Sequence, residues 1–251
     1  MNYTRFKKIG KLIVFGMAIF GVTANGPAQT VINAGHGGDN TRNLLKRLDA
    51  VLAEQPSLVI LLVGSNDALN SKNSVGIEEY RTNLKSLITQ IKNSSAKVLL
   101  VTQPPCLSSY VIKRHSTEFF QGKDPNEKLD AVRKVGESVA KEEGVPVVEL
   151  LSVFGEVSKT EAADSLMRNL ANSHSEDGVH PTPAGYQAMA NQIAKGIKEF
   201  SLPTDKIICF GDSLTYGPAV KGSGTAEGET YPARLLEILK NPSSAQSDFE
   251  K

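Results

Sequence analysis

Short apolar runs alternate with amphipathic segments along most of the chain. Runs without polar alternation predict strands that are buried on both faces of a sheet. They lie at residues 31–32, 58–63, 98–101 and 207–210, and residues 145–150 are predicted to form another strand. Apolar residues recur at helical spacing in the segments 41–54, 77–91, 125–139, 183–197 and 231–239. This alternation predicts an α/β fold, a three-layer αβα sandwich with a five-stranded parallel sheet.

The edges of these elements carry further signals. Asp124 is predicted to be an N-cap residue, followed by a proline in the first helical position, and Thr182-Pro183 is predicted to start another helix. Gly211 ends the last apolar run, and its conformational freedom predicts a sharp turn there. Residues 161–171 give a weaker helical pattern. Residues 106–123 mix apolar and basic side chains and predict either a packed surface loop or a loop that covers substrate.

The first 24 residues differ from the rest of the chain. Four basic residues and no acidic residue precede an apolar stretch at residues 12–24. Thirteen helical residues would span roughly 20 Å, which is short of a hydrocarbon core of about 30 Å. The pattern predicts a secretory signal peptide at residues 1–24 and a single mature domain at residues 25–251, periplasmic or secreted. An uncleaved membrane anchor is the alternative.

The net charge bears on the possible binding partners, and the two cysteines bear on whether a disulfide forms. Loss of residues 1–24 removes four positive charges and no negative ones, which changes the formal net charge from +1 to −3. A slightly acidic chain gives no electrostatic basis for binding nucleic acid, and no stable membrane insertion is expected after cleavage. Cys106 and Cys209 are predicted to be buried, with a disulfide as the alternative in an exported protein. The sequence does not indicate an oligomeric state.

Candidate catalytic residues follow predicted strands or precede predicted helices, so they can meet at one edge of a parallel sheet. A serine nucleophile needs a base, and the base needs a partner that fixes its tautomer. Ser213 follows the last strand, and Asp177 lies three residues before His180 on a predicted turn. A tetrahedral oxyanion needs fixed donors, for which the candidates are the N–H groups of Ser213 and Gly38 and the side-chain amide of Asn66.

Four blocks of sequence resemble the signature blocks of the SGNH (GDSL) hydrolase superfamily of esterases and lipases. They are Gly211-Asp212-Ser213-Leu214, Asn33-x-Gly35-x-x-Gly38-Asp39, Gly64-Ser65-Asn66-Asp67 and Asp177-Gly178-Val179-His180-Pro181. The resemblance covers roughly residues 31–240 and implies a flavodoxin-like fold and no cofactor. It implies a catalytic triad of Ser213, His180 and Asp177. It further implies that Gly38 and Asn66 stabilise the oxyanion.

The order of the blocks departs from the family. There the serine block opens the domain and the Asp/His block closes it, whereas here the serine block comes last. This order indicates a circular permutation, which is tolerable because domain termini often lie close together. A tandem array cut at its C-terminus is the alternative, although residues 1–30 contain no serine block for a first copy. For a permuted single site, the resemblance implies that strand 206–210 lies between the strands at 31–33 and 58–63.

Some patterns have competing explanations. His174, Asp177 and His180 have a spacing that could suit a metal, but a glycine and a proline disfavour the helix that would align them, so no metal is expected. The glycine-rich segment after the serine lacks the spacing of a nucleotide-binding loop, and no G-x-S-x-G stretch is present. His36 either touches substrate or faces solvent. Asp212 is expected to bond the turn backbone.

Together these features predict an exported serine esterase without a cofactor. The resemblance implies a small-molecule or glycan ester as substrate: O-acetylated carbohydrate, a simple carboxylic ester or a lysophospholipid. Export and the polar glycine-rich loop favour acetyl groups on carbohydrate. The alternatives are a lysophospholipase or thioesterase-type lipid acyl hydrolase, an acyltransferase to a glycan, and a non-catalytic glycan-binding module.

Overall fold

The computed structural model describes residues 29–241, so the predicted signal peptide and the last ten residues lie outside it. The strands are β1 (Thr30–Gly35), β2 (Leu58–Leu62), β3 (Lys97–Val101), β4 (Val147–Val148) and β5 (Lys206–Gly211). The helices are α1 (Thr41–Ala53), α2 (Ser65–Leu69), α3 (Ile77–Asn93), α4 (Ser108–His115), α5 (Pro125–Glu143), α6 (Leu151–Phe154), α7 (Leu170–Ser173), α8 (Pro183–Glu199), α9 (Ser213–Tyr216) and α10 (Tyr231–Lys240). A 3₁₀ helix covers Glu156–Lys159.

The five strands form one parallel sheet in the order β1-β5-β2-β3-β4. The strand that comes last along the chain therefore lies between the first two. Ile208 of β5 is paired with Ile32 of β1 on one side and with Val59 of β2 on the other. The predicted insertion of this strand is confirmed.

Helices cover both faces of the sheet, which confirms the three-layer αβα architecture. One face packs against α1, α3 and α5 through side chains such as Leu61 and Phe210. The other packs against α8 and α10 through side chains such as Ile60 and Cys209. Neighbouring residues of a strand point to opposite faces, so each strand contributes to both layers. This explains why β2 is buried at all five positions and shows no polar alternation.

Two long helices begin where the sequence predicted, and a side chain caps each of them. The Asp124 side chain accepts a hydrogen bond from the backbone N–H of Asn126 at 2.7 Å, and α5 begins at Pro125. The Thr182 hydroxyl accepts one from the N–H of Gly185 at 3.1 Å at the start of α8. These bonds satisfy backbone donors that have no partner within a first helical turn.

The helix predicted at residues 161–171 is wrong. Only its last two residues enter a helix, the short α7, and the residues before it are mostly turn or extended. Met167 forms an antiparallel β-bridge with Pro181. Asparagine side chains satisfy the backbone of this segment instead: Asn169 Nδ2 donates to Ala162 O at 2.9 Å, and Asn172 Nδ2 donates to Met167 O at 2.9 Å. Such local bonds compete with helix formation.

The strand predicted at residues 145–150 is shorter than expected, because β4 holds only Val147 and Val148. It is an edge strand with a single neighbour, β3. Pro146 has no N–H to extend the pairing at one end. At the other end, the Glu149 carboxylate turns to cap α6 by accepting from the N–H groups of Leu151 and Ser152.

The segment 106–123 is not a continuous loop, which corrects the expectation for it. It contains α4, which buries Tyr110 and Val111. The backbone N–H of Leu107, just before this helix, donates to the carbonyl of Gly178 at 2.8 Å. Phe120, beyond the helix, is also fully buried. A tertiary contact thus sets the start of this helix, and the local sequence pattern does not reveal it.

Both cysteines are buried and unpaired, as predicted. They pack in different layers, Cys106 with the α1/α3/α5 face and Cys209 with the α8/α10 face. Burial raises the pKa of each thiol to about 12, so neither is a ready nucleophile. Among residues 29–241, the helices are too short or too polar to span a bilayer.

Candidate active site

The predicted site residues lie on connections at the carboxyl edge of the sheet or on a turn before a helix. Ser213 is the first residue of α9, directly beyond β5. Gly38 lies in the turn after β1, and Asn66 lies in α2 after β2. Asp177 and His180 lie on the turn that precedes α8. Residues that are distant along the chain can therefore meet at this edge.

The serine is positioned by the residue that precedes it. Asp212 Oδ1 accepts a hydrogen bond from the N–H of Leu214 at 2.8 Å, so Asp212 caps α9, and its predicted bond to the turn backbone is confirmed. Asp212 is buried, and its Oδ2 has no hydrogen-bond partner among the described residues. Burial raises the pKa of this carboxyl to about 7. Ser213 itself is half-buried.

Ser213, His180 and Asp177 form a continuous hydrogen-bonded chain. Ser213 Oγ lies 3.0 Å from His180 Nε2, and His180 Nδ1 lies 2.9 Å from each carboxylate oxygen of Asp177. Burial raises the pKa of Asp177, but the hydrogen bond and charge of His180 outweigh it and bring the pKa to about 2. An ionised carboxylate can only accept, so Nδ1 carries the proton and Nε2 is left to accept from the serine hydroxyl.

The turn of Asp177 and His180 is closed by the same carboxylate. Asp177 Oδ1 accepts from the N–H of Val179 at 3.0 Å and from the N–H of His180 at 2.9 Å. Gly178 between them has φ +70°, a left-handed conformation in which a residue with a Cβ is strained. A Cβ there would also lie 2.9 Å from the Cβ of Leu107. The turn therefore fixes the imidazole relative to its own backbone.

The structure brings Asn66 to the turn that carries Gly38. Asn66 Nδ2 donates to the carbonyl of Asp39 at 2.9 Å, and Asn66 Oδ1 accepts from Asn70 Nδ2 at 3.2 Å. These bonds set the orientation of the amide and leave its second N–H available. Gly38 has φ +81°. Its N–H bonds to none of residues 29–241, while its carbonyl accepts from Asn73 Nδ2 at 2.9 Å.

Asp67 fixes α2 against the start of α1. Its carboxylate accepts from the backbone N–H of Thr41 at 3.1 Å and from the Thr41 hydroxyl at 2.6 Å. Burial raises the pKa of Asp67 to about 6, and the bonds from Thr41 oppose that rise. Asp67 follows Asn66, and Thr41 lies three residues beyond Gly38. The pair therefore holds together the two segments that carry the candidate oxyanion donors.

Arg47 joins the same turn to the strand that leads to the serine. Its Nε contacts Asp39 Oδ2 at 2.6 Å, Nη1 donates to Ala34 O at 2.8 Å, and Nη2 donates to Gly211 O at 2.7 Å. The guanidinium also lies over the ring of Phe210, 4.6 Å from its centroid. Sequence reasoning missed Arg47, although its place three residues after the buried Leu44, on the inward face of α1, was an available signal.

The remaining histidines of interest lie outside this network. His174 ends α7 in a left-handed conformation with φ +51°, and His36 is exposed in the turn after β1. No cluster of three or more histidine, cysteine or acidic residues within positions 29–241 could hold a metal ion. Asp177 and His180, two of the three residues whose spacing could suit a metal, contact each other.

Fold and site together define an α/β protein with a Ser–His–Asp chain at the carboxyl edge of a parallel sheet. The chain belongs to the GDSL-like lipase/acylhydrolase family, whose model matches residues 21–188. That match includes Gly38, Asn66, Asp177 and His180 and ends before Ser213.

Two relatives are similar to the chain, one over about two thirds of it and one over a shorter part. A GDSL esterase/lipase of Oryza sativa subsp. japonica is 26% identical over 180 residues, which are 67% of this chain and 65% of the rice protein. The chain thus spans just under two thirds of that relative. The esterase TesA of Pseudomonas aeruginosa is 38% identical over 72 residues, 28% of this chain and 34% of that protein.

Solved structures show the same fold. A lipase/acylhydrolase from Enterococcus faecalis aligns with a TM-score of 0.51 and 25% identity, over 66% of this chain and 74% of that one. A GDSL-like lipase from Bacteroides thetaiotaomicron aligns with a TM-score of 0.52 and 23% identity, over 65% and 73%. Both similarities agree with the five-stranded αβα architecture described above.

Proposed function

We propose that this protein is a serine esterase that hydrolyses small acyl esters through a covalent acyl-enzyme. The observation that carries the proposal is the hydrogen-bonded chain from Ser213 through His180 to Asp177, with contacts of 3.0 and 2.9 Å. A base within hydrogen-bond reach of the nucleophile, itself oriented by a third group, is the arrangement that nucleophilic acyl transfer requires. Family membership supports the same chemistry.

In the proposed mechanism, Ser213 Oγ attacks the ester carbonyl while His180 Nε2 takes the hydroxyl proton. Collapse of the tetrahedral intermediate breaks the bond to the alcohol, which receives the proton from His180 and leaves. A water molecule then attacks the acyl-enzyme, again with His180 as base, and the acid is released from Ser213. Asp177 stays ionised throughout and stabilises the imidazolium.

The oxyanion is proposed to accept from three donors: the N–H groups of Ser213 and Gly38, and the Asn66 amide. Hydrogen bonds around the segments that carry Gly38, Asn66 and Ser213 support a rigid arrangement of these donors. Asn66 is bonded to Asp39 in the turn of Gly38, and Arg47 bonds that turn to the end of β5. Donors that are fixed before the reaction stabilise developing charge without reorganisation.

The proposed substrates are O-acetyl groups on carbohydrate. The predicted export would place the enzyme where glycans are abundant. The loop after the nucleophile is polar and tightly folded: Ser223 Oγ donates to Gly217 O at 2.6 Å, and the N–H of Gly224 donates to Tyr216 O at 2.6 Å. Tyr216, one helical turn beyond Ser213, is 36% exposed and offers an aromatic ring with a polar tip.

A panel of nitrophenyl esters of increasing acyl length, together with acetylated polysaccharides, tests the activity and the substrate. Acetyl release from polysaccharide, with activity falling as the acyl chain lengthens, is expected. A preference for long acyl chains would instead indicate a lipid acyl hydrolase. Product analysis with and without a glycan acceptor separates hydrolysis from acyl transfer.

Ser213→Ala is the control for that panel. It should lower kcat by about 10⁴–10⁶ and abolish labelling by a fluorophosphonate, because triad members act as a unit. Near-wild-type hydrolysis by folded Ser213→Ala would end the serine-esterase proposal. A wild-type protein that neither hydrolyses esters nor labels would indicate a non-catalytic binding module.

Export is proposed from the N-terminal pattern alone. A basic start and a short apolar stretch are typical of a secretory signal peptide. N-terminal sequencing of the protein recovered from the exported fraction tests this, with cleavage expected after Ala24. Recovery of the uncleaved chain in the membrane fraction would indicate an anchor instead.

We also propose that the domain is a circular permutation of the family arrangement. The match to the family ends at residue 188, whereas the serine lies at 213. The serine strand β5 nevertheless lies between β1 and β2. A complete Ser–His–Asp chain within one polypeptide supports permutation over a truncated tandem array or a site shared between exchanged chains.

A further inference from the structure

Arg168 is bonded through its backbone to the turn that carries Asp177 and His180. Its N–H donates to the carbonyl of His180 at 2.9 Å, and its carbonyl accepts from the N–H of Gly178 at 2.8 Å. The neighbouring bridge between Met167 and Pro181 extends this pairing. The extended segment 166–168 therefore runs along the turn and fixes its backbone. The helix predicted at residues 161–171 did not suggest this role.

The side chain of Arg168 reaches the acid of the proposed triad. Its Nε lies 3.6 Å from Asp177 Oδ2, an oxygen that also contacts His180 Nδ1 at 2.9 Å. The Arg168 side chain is only 15% exposed, so solvent screens this contact weakly. Nε has no hydrogen-bond partner among the described residues, so its interaction with the carboxylate is one of charge.

The same guanidinium reaches the segment that follows the nucleophile. Arg168 Nη1 donates to the carbonyl of Ala219 at 3.1 Å, 51 residues away along the chain. Ala219 has φ +59°, a left-handed conformation that costs free energy for a residue with a Cβ. A strained backbone conformation persists where the surrounding structure imposes it. Here the carbonyl of the strained residue, Ala219, accepts a hydrogen bond from the Arg168 guanidinium beside the proposed triad.

We propose that Arg168 is a positioning residue that holds the Asp177 carboxylate against His180 and ties the Asp/His turn to the segment carrying Ser213. The inference rests on the proposed esterase function and deepens it. The planar fork of arginine presents Nε to the carboxylate and Nη1 to the carbonyl at once, which the single ammonium of lysine cannot do. Arg168 acts through Asp177 and touches neither the substrate nor the reacting atoms.

The experiment compares Arg168→Met and Arg168→Lys with Arg114→Met. Arg114 is an exposed arginine that donates to the carbonyl of Glu176, in the same loop, at 2.8 Å. Arg168→Met should lower kcat by about 10- to 100-fold with KM changed less than about twofold, since small misplacements of a catalytic group cost about that much. Arg168→Lys should recover part of the loss, and Arg114→Met should stay within about twofold of wild type.

A double-mutant cycle with Asp177→Asn distinguishes positioning from mere stabilisation of the fold. If Arg168 acts through the carboxylate, Arg168→Met should cost less than about threefold in the Asp177→Asn background. Full additivity of the two substitutions, or a loss in Arg168→Met that appears in KM and not in kcat, would overturn the inference.

The outcomes separate this inference from the function on which it rests. An inactive, unlabelled wild-type protein would contradict the esterase proposal itself. An active wild-type protein whose Arg168→Met variant behaves like Arg114→Met would overturn only the role of Arg168. If Arg168→Met does not fold, as judged by circular dichroism, kcat, KM and the double-mutant cycle are measured with Arg168→Lys, and wild-type behaviour there would count against the inference.

Discussion

Gly35 of β1 and Gly211 of β5 are paired across the parallel sheet, and neither position has room for a Cβ. A Cβ at Gly35 would lie 2.2 Å from the backbone N of Tyr216, and one at Gly211 would lie 2.3 Å from the carbonyl O of Leu62. The paired glycines let the helix of the nucleophile approach the ends of the strands. The sequence predicted that Gly211 is needed for its conformational freedom, but its φ is not positive, so that expectation is wrong. Glycine is needed at this position because neighbouring atoms leave no space for a Cβ.

Gly35→Ala should displace α9 and with it the nucleophile. Because the clash is with backbone atoms that cannot rotate away, we expect a loss of about 1–3 kcal/mol in the free energy of unfolding, together with a large loss of esterase activity. Urea unfolding measures the first effect. Gly37→Ala is the matched control for stability, since no atom lies within 4 Å of a Cβ there. Equal stability of the two variants would contradict this account.

Arg47→Met should weaken catalysis by loosening the turn of Gly38. It removes the Arg47 donors to the carbonyls of Ala34 and Gly211, and the turn keeps only the bond from the His36 N–H to Gly211 O as its connection to the end of β5 among the described residues. We expect kcat to fall about 10- to 100-fold with KM nearly unchanged, because fixed donors act mainly on the transition state. Arg42→Met, on the same helix, removes an exposed ion pair to Glu79 and should keep wild-type kinetics. A loss confined to KM would contradict the assignment.

Asn66→Ala should remove one proposed oxyanion donor. The expected loss in kcat is about 10²–10³, with KM little changed, since the donor bonds the developing charge more strongly than the substrate carbonyl. Steady-state kinetics on a nitrophenyl acetate measures both constants. Asn191→Ala is a control on α8, where the asparagine bonds only Gln187 in the described structure. Unchanged kcat in Asn66→Ala would remove Asn66 from the proposed site.

The buried carboxyls predict how stability depends on pH. Burial raises the pKa of Asp67 to about 6 and that of Asp212 to about 7, from 3.8 in each case. The folded state thus holds these protons more tightly than the unfolded state, and the free energy of unfolding should fall as pH rises from about 4 to about 7. The pKa of Asp177 is lowered to about 2, so its contribution is present above about 4 and lost towards pH 2.

Denaturation at a series of pH values tests this prediction. Asp212→Asn cannot ionise and should reduce the decline in stability between about pH 4 and pH 7. Asp49→Asn, at an exposed position on α1, should leave the slope unchanged. A wild-type protein whose stability rises steadily across this range would show that the two carboxyls are not kept protonated by the fold.

The sequence was sufficient for elements whose determinants are local. The unbroken apolar run at Leu58–Leu62 correctly predicted a buried strand, and the pairs Asp124-Pro125 and Thr182-Pro183 correctly predicted two helix starts. Ser213, His180 and Asp177 could be chosen because their chemistry and their places beside predicted strands and helices agree. The position of β5 between β1 and β2 also followed, because the resemblance to the family implied it for a single site.

The features that were missed depend on contacts between distant parts of the chain. The carbonyl bound by Arg47 Nη2 is 164 residues away, and the one bound by Arg168 is 51 residues away. The segment before Arg168 has helical spacing, but asparagine side chains and the bridge to Pro181 hold it in another conformation. Local propensity is a weak guide where tertiary bonds decide the backbone.

The proposed permutation predicts that the chain can be rewired to the family order. In the described structure the start of β1 lies beside the connection into β5: Gln29 Nε2 donates to Thr204 Oγ1 at 3.2 Å, and the N–H of Thr30 donates to Asp205 O at 3.0 Å. The rewired chain opens between Leu202 and Pro203 and joins Lys251 to Gln29 through a short Gly/Ser spacer. Every strand and every residue of the proposed site remains in place.

This rewired protein should fold and keep esterase activity within about tenfold, since loop-closure costs change by only about 1 kcal/mol. Ser213→Ala in the rewired chain gives the activity background. A chain opened inside β2, between Ile60 and Leu61, is the matched control and should not fold, because that break divides a fully buried strand with neighbours on both sides. If the opening at Leu202 is as damaging as the one in β2, the connection at residues 201–205 is essential to the fold. The domain would then not be a simple permutation of the family arrangement, and the late position of Ser213 would need another origin.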